Sequence, residues 1–214
     1  MTHSIRKLIV TKDYAGLAEA LSTNPKLANE EFPLDESTNI KAHPLHRLCD
    51  GVFVKAYTDE EAVRMAQIFL ENGANVNGNN IPEKHDTPLI AAASLGADQV
   101  AILYMENGAN IHHSGTHGGS AMHWSAWCGR DKLVERFLQK GVDINRKCID
   151  FKATPIFWAI HGWKQSDRTE LLNYLRCVKF LIDAGADKNI PNKDGNTVFD
   201  LLDNKDVELK ALLN

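Results

Sequence analysis

The chain has 214 residues, of which 28 are acidic and 24 basic, for a formal net charge of −4. This length can bury a core without disulfides, and with no basic stripe to neutralise phosphates the charge balance argues against nucleic acid and anionic membranes as partners. No stretch approaches the roughly 20 consecutive apolar residues of a membrane helix, and the opening "MTHSIRKLIVTKDYAGL" has too short an apolar run and no small-residue cleavage site for a signal peptide.

In chain order, residues 5–29 read as a helix pair. From there a phrase recurs: "HPLHRLC" from His43, "TPLIAAA" from Thr87, "SAMHWSA" from Ser120, "TPIFWAI" from Thr154 and "TVFDLLD" from Thr197. Four closing phrases follow in step: "NGANVN" at 72–77, "NGANIH" at 107–112, "KGVDIN" at 140–145 and "AGADKN" at 184–189. From Thr87 to Ser120 is 33 residues and from Ser120 to Thr154 is 34.

Each phrase has a physical role. Thr87, Ser120, Thr154 and Thr197 stand where an N-cap hydroxyl satisfies free backbone N–H groups. Pro44, Pro88 and Pro155 follow at the first helical position, where a missing N–H costs nothing. Gly73, Gly108, Gly141 and Gly185 stand where a left-handed residue ends a helix. Runs such as "VAILYM" and "LVERFL" have the spacing of a helix buried along one stripe. Each unit is therefore a helix pair that must stack on a neighbour to bury its face.

Two intervals are longer, 44 residues from His43 to Thr87 and 43 from Thr154 to Thr197. The excess is expected between the two helices of a pair. In "GVFVKAYTDEEAV" Thr58 and Glu61 form a capping-box phrase that lengthens the second helix after an irregular loop. In "GWKQSDRTELLNYL" the helical spacing of Leu171, Leu175, Val178 and Ile182 extends that helix by about two turns. Surface insertions cost little, and exposure of Phe53, Val54 and Tyr57 would favour a functional ridge instead.

The recurring phrases resemble the ankyrin repeat, whose pattern runs TPLHxAA, a second helix, then GADVN. The resemblance covers about residues 40–214. It implies an all-α solenoid of about six helix pairs with short β-hairpin fingers, a single domain over residues 1–214. The divisions are an N-terminal cap at 1–39, repeats at 40–85, 86–118, 119–152 and 153–195, and a C-terminal cap at 196–214. It also implies a non-catalytic module or scaffold that binds a partner protein on its fingers and first helices, with no cofactor and a monomeric default. Cys49, Cys128, Cys148 and Cys177 lack any CxxC pairing and read as reduced thiols of a cytoplasmic protein.

By position in the repeat, the implied partner-binding residues are Arg47, Asp50, Ser94, Trp124, Trp127, Trp158 and His161, joined by Trp163 and by the finger histidines His113 and His117. Trp124 and Trp158 stand where leucine is usual between repeats and are expected to be partly buried. Trp127 is expected to be exposed, and tryptophan is enriched among binding hot spots.

The stretch "HHSGTHGGSAMHWSAWCG" invites a metal-site interpretation. Yet Gly115, Gly118 and Gly119 make a helix improbable around His113 and His117, which removes the i, i+4 ligand pair. His112 takes the slot of Asn77, Asn145 and Asn189, while His123 is the TPLH histidine, equivalent to His46, which in ankyrin repeats bonds local backbone and neighbouring loops. No GxSxG, HExxH, GxxxxGK or GxGxxG occurs. Two other functions fit less well: an inhibitor or immunity-type protein that blocks a partner enzyme, and a metal-dependent enzyme using His113, His117 and Cys148.

Overall fold

The computed structural model describes residues 4–34, 39–166 and 171–214. They form two compact units, one from residues 1–82 and 86–110, the other from 83–85 and 111–214. Each holds three helix pairs among the described residues, and the cores are apolar.

In the first unit the pairs are α1 (Ile5–Val10) with α2 (Tyr14–Thr23), α3 (Pro44–Phe53) with α4 (Asp59–Glu71), and α5 (Pro88–Leu95) with α6 (Asp98–Glu106). Helix α4 buries Ala62, Met65, Ala66 and Phe69, an i, i+3, i+4, i+7 stripe. It packs between α2 and α6 while α3 packs on α5. Between α2 and α3 lies an antiparallel pair of two-residue strands, β1 (Phe32–Pro33) and β2 (Lys41–Ala42).

The second unit pairs α7 (Ala121–Trp127) with α8 (Asp131–Gln139) and α9 (Pro155–Gln165) with α10 (Leu171–Asp183). A 3-10 turn at Val198–Leu201 and α11 (Val207–Leu213) make the shortened last pair. Residues 83–85 belong here because Lys84 N–H donates to Ser114 O at 2.8 Å and His113 Nε2 donates to His85 O at 2.9 Å.

The start and stop signals act largely as the sequence indicates. Thr87 Oγ1 accepts from Ile90 N–H, and Thr58 and Glu61 form a reciprocal capping box. The closing glycines 73, 108, 141 and 185 have φ of 85°, 82°, 72° and 90°. This left-handed backbone penalises any Cβ. Thr154 departs from the expectation, since its backbone is extended but its buried hydroxyl makes no hydrogen bond.

The closing asparagines align neighbouring repeats inside each unit. Asn77 Oδ1 accepts from Asn110 N–H at 2.7 Å, and Asn145 Oδ1 accepts from Asp187 N–H at 2.9 Å. A side-chain amide thus supplies a finger contact that a strand ladder would otherwise make.

The second helix of each long repeat is lengthened, as the sequence indicates, and the first helix is lengthened too, so the extra residues do not all lie between the two helices. In the long repeats both helices grow: α3 and α9 have 10 and 11 residues against 8 in α5 and 7 in α7, and α4 and α10 have 13 against 9 in α6 and α8. Helical extension satisfies the added backbone groups internally, which an irregular loop cannot do. Residues 167–170 of the second insertion lie outside the described residues. Phe53 and Val54 are 62% and 56% exposed. Tyr57 is buried, its hydroxyl donating to Arg47 O at 3.3 Å.

Candidate functional site

In the second unit the site begins with two helices held unusually close. A Cβ built on Gly162 of α9 would lie 2.1 Å from the Trp127 carbonyl oxygen of α7, so only glycine permits this approach. Trp124 and Trp127 are three apart on α7, as are Trp158 and His161 on α9, so each pair shares a helix face. Trp158 meets Trp124 and Trp127 edge-on, with ring centroids 5.2 and 5.8 Å apart, and also meets His123 at 5.4 Å. Trp127 stacks on His161 at 4.9 Å and 20°.

The fingers extend this aromatic layer. His117, held at φ 58°, sits 5.0 Å from Phe151 and 6.4 Å from Trp124. Lys84 anchors Asp150 at 2.7 Å, and His117 Nδ1 is 3.6 Å from the same carboxylate. The hydrogen bond from Lys84, with a smaller contribution from His117, holds the Asp150 carboxyl below its usual range. Between the helices and the next finger a groove of about 210 Å³ is lined by Trp127, Phe151, Phe157, Trp158, His161 and Asp194, among others.

His123 does not face this groove, and its tautomer follows from its bonds. Nε2–H donates to Arg146 O at 3.0 Å, which leaves Nδ1 to accept from Ser120 N–H at 3.1 Å. Burial brings its pKa down to about 4. The family role expected of His46 falls instead to His43, whose Nδ1 accepts from Leu45 N–H at 3.2 Å and whose Nε2–H donates to Asn29 Oδ1 at 3.0 Å. His46 turns to Asp50, 3.5 Å away.

Two family models match the chain: ankyrin repeats (3 copies) over residues 53–148, and ankyrin repeat over 152–193. The chain belongs to the ankyrin repeat family. The crystal structure of an ankyrin repeat protein aligns with it at a TM-score of 0.71 and 21% identity, covering 100% of this chain and 97% of the other. Among curated relatives, mouse ankyrin repeat and SOCS box protein 6 is 28% identical over 198 residues, 91% of this chain and 40% of that protein. The palmitoyltransferase Hip14 of Drosophila melanogaster is 25% identical over 114 residues, 53% of this chain and 16% of that enzyme. The ankyrin chain thus spans well under half the length of these relatives. Ankyrin repeats are protein-interaction modules and generally not catalytic.

Several residues assigned to partner binding from their repeat positions are committed elsewhere. Trp158 and Trp163 are 4% and 3% exposed, so neither ring offers a face to a partner. Trp124 and Trp127 are both half-buried, which suits Trp124 and corrects the expectation that Trp127 stands free. Trp127 is held because His161 stacks on it. In the first unit Arg47 is buried, donating to Phe32 O at 3.0 Å, Ile40 O at 2.6 Å and Asp50 Oδ2 at 2.7 Å. It fastens β1, and the residue just before β2, to α3. Burial pushes the Asp50 carboxyl up, but hydrogen bonds from His46 and Arg47 outweigh this and hold it below its usual range. Ser94 is half-buried, with its hydroxyl donating to Ala91 O at 3.2 Å.

The metal-enzyme alternative finds no assembled site. Cys148 is buried, while His113 and His117 are engaged as described above, with backbone and with Phe151 and Asp150. Among the described residues no three His, Cys, Asp or Glu side chains are grouped to hold an ion. No helix among them is long and apolar enough to cross a membrane.

Because Arg47 satisfies two backbone carbonyls and a carboxylate, Arg47→Ala is expected to cost about 2 to 3 kcal/mol, the range for buried hydrogen bonds to charged groups. The midpoint of chemical denaturation measures this, and an unchanged midpoint would return Arg47 to the binding surface.

Sequence reasoning missed Phe151, Phe157, Asn192 and Asp194. Phe151 is 37% exposed and lies on a finger. Its signal was available: a large apolar residue in a turn between Asp150 and Lys152, where polar residues are the rule.

Proposed function

We propose that a partner protein docks on the aromatic face of the second unit, formed by Trp127, Phe151 and His161 with His117 and half-buried Trp124 beside them. The observation that carries this is the groove itself. Large rings that could have packed inward are left at a surface rimmed by polar groups, a common mark of a partner site. The first-unit residues Arg47 and Asp50 act in this proposal as structural supports. Four cysteines that form no disulfide fit a cytoplasmic setting, and a monomer remains the expected state.

Phe151→Ala tests the proposal while leaving the buried rings in place. A partner captured from the source cell should bind the variant about 2 kcal/mol more weakly, the threshold of a hot spot, while the fold loses about 1 to 2 kcal/mol with the contacts to His117 and Trp158. Equal affinity for both forms would move the interface elsewhere.

A further inference from the structure

We propose that the groove of the second unit accepts an arginine side chain from the partner, stacked on its aromatic walls and paired with Asp194. This rests on the docking face proposed above and names the chemistry of its occupant. A groove of about 210 Å³ falls below the roughly 300–1,000 Å³ of small-molecule and cofactor sites. A single long side chain suits it better.

The lining specifies the charge. Trp127 and Phe151 expose part of their π-systems, whose negative faces attract cations, while Phe157 and Trp158 also line the groove but are buried. Asp194 adds an anion at the same groove, and among the described residues its carboxylate has no hydrogen bond or ion pair; only its backbone N–H is engaged, donating to Asn192. Asn192 Oδ1 already accepts from Asp194 N–H at 3.0 Å and Asn196 N–H at 2.9 Å, so the carboxylate is the open acceptor. The ammonium of Lys193 lies 5.2 Å from the Phe151 centroid, and this lysine is not part of the groove lining, so the same ring already tolerates a cation outside it. Guanidinium is favoured over ammonium because it is planar, weakly hydrated, stacks on aromatic rings and pairs with a carboxylate through two parallel N–H groups.

The test uses the full chain and small probes. N-acetyl-arginine-N-methylamide is titrated while the tryptophan indole N–H resonances are followed by NMR, with the norleucine and trimethyl-lysine analogues as comparison arms. The expected result is a saturable shift of the Trp127 signal with the arginine probe, about tenfold weaker binding in Asp194→Asn, and little response to norleucine. The proposal is overturned by no saturable shift, by equal norleucine binding, by an unchanged Asp194→Asn, or by tighter trimethyl-lysine binding. If the probes fail while Phe151→Ala still weakens a captured partner, the docking face stands and the arginine assignment falls.

Discussion

Trp158→Ala is expected to destabilise the protein by about 3 to 5 kcal/mol, the cost of deleting a large buried ring and leaving a cavity. Trp158 is where the aromatic layer meets the core. It touches Trp124, Trp127, His123 and Phe151, and its ring lies so near Gly119 that a Cβ there would approach it to 2.9 Å. Neighbours packed this tightly cannot collapse fully into the space. Trp127→Ala should cost less, about 1 to 2 kcal/mol, because the ring is half-buried and loses chiefly its stacking on His161 and its edge contact with Trp158. Thermal and chemical denaturation of the two variants measures the difference. Equal losses would mean that the two rings share one environment, and Trp127 would then report on folding rather than binding.

This ordering shows how much of the site the sequence disclosed. The helix starts and stops were legible because capping hydroxyls, first-turn prolines and left-handed glycines act within a few residues of themselves. The pairing of Trp124 with Trp127 and of Trp158 with His161 was legible from helical spacing. Which side of each ring is covered was not, because that depends on how closely the next helix approaches, and Gly162 sets that distance for α9. Phe151 and Asp194 escaped for a related reason. They sit on fingers, and finger side chains meet only when the repeats are stacked. Arg47 was misassigned because its partners, Phe32 O and Ile40 O, lie in a segment with no repeat phrase.

Mild acid is expected to weaken the fold well before the carboxylates titrate. His43 and His123 are buried, and burial lowers both pKa values from 6.5 to about 4, with His46 adding a smaller effect on His43. Each ring is satisfied as the neutral Nε2–H tautomer, with Nδ1 accepting a backbone N–H, so protonation would break a bond as well as bury a charge. Above pH 6.5 both are neutral in the folded and the unfolded chain, and their contribution is fully present. Below it the unfolded chain takes up protons that the folded one excludes. Stability then falls by about 1.4 kcal/mol per pH unit for each histidine, until the folded rings themselves protonate near pH 4. At pH 5 the loss is about 2 kcal/mol apiece. The carboxyl groups held low by hydrogen bonds or ion pairs, Asp50, Glu61, Asp150, Asp200, Asp203 and Asp206, act in the same direction, but through the ordinary carboxylate range and below. The window from pH 6.5 to about 4.5 therefore belongs to the histidines. Urea denaturation across that window should show the slope, and the double variant His43→Asn, His123→Gln should flatten it whatever its stability at neutral pH. A slope that survives in the double variant would place the responsible groups elsewhere.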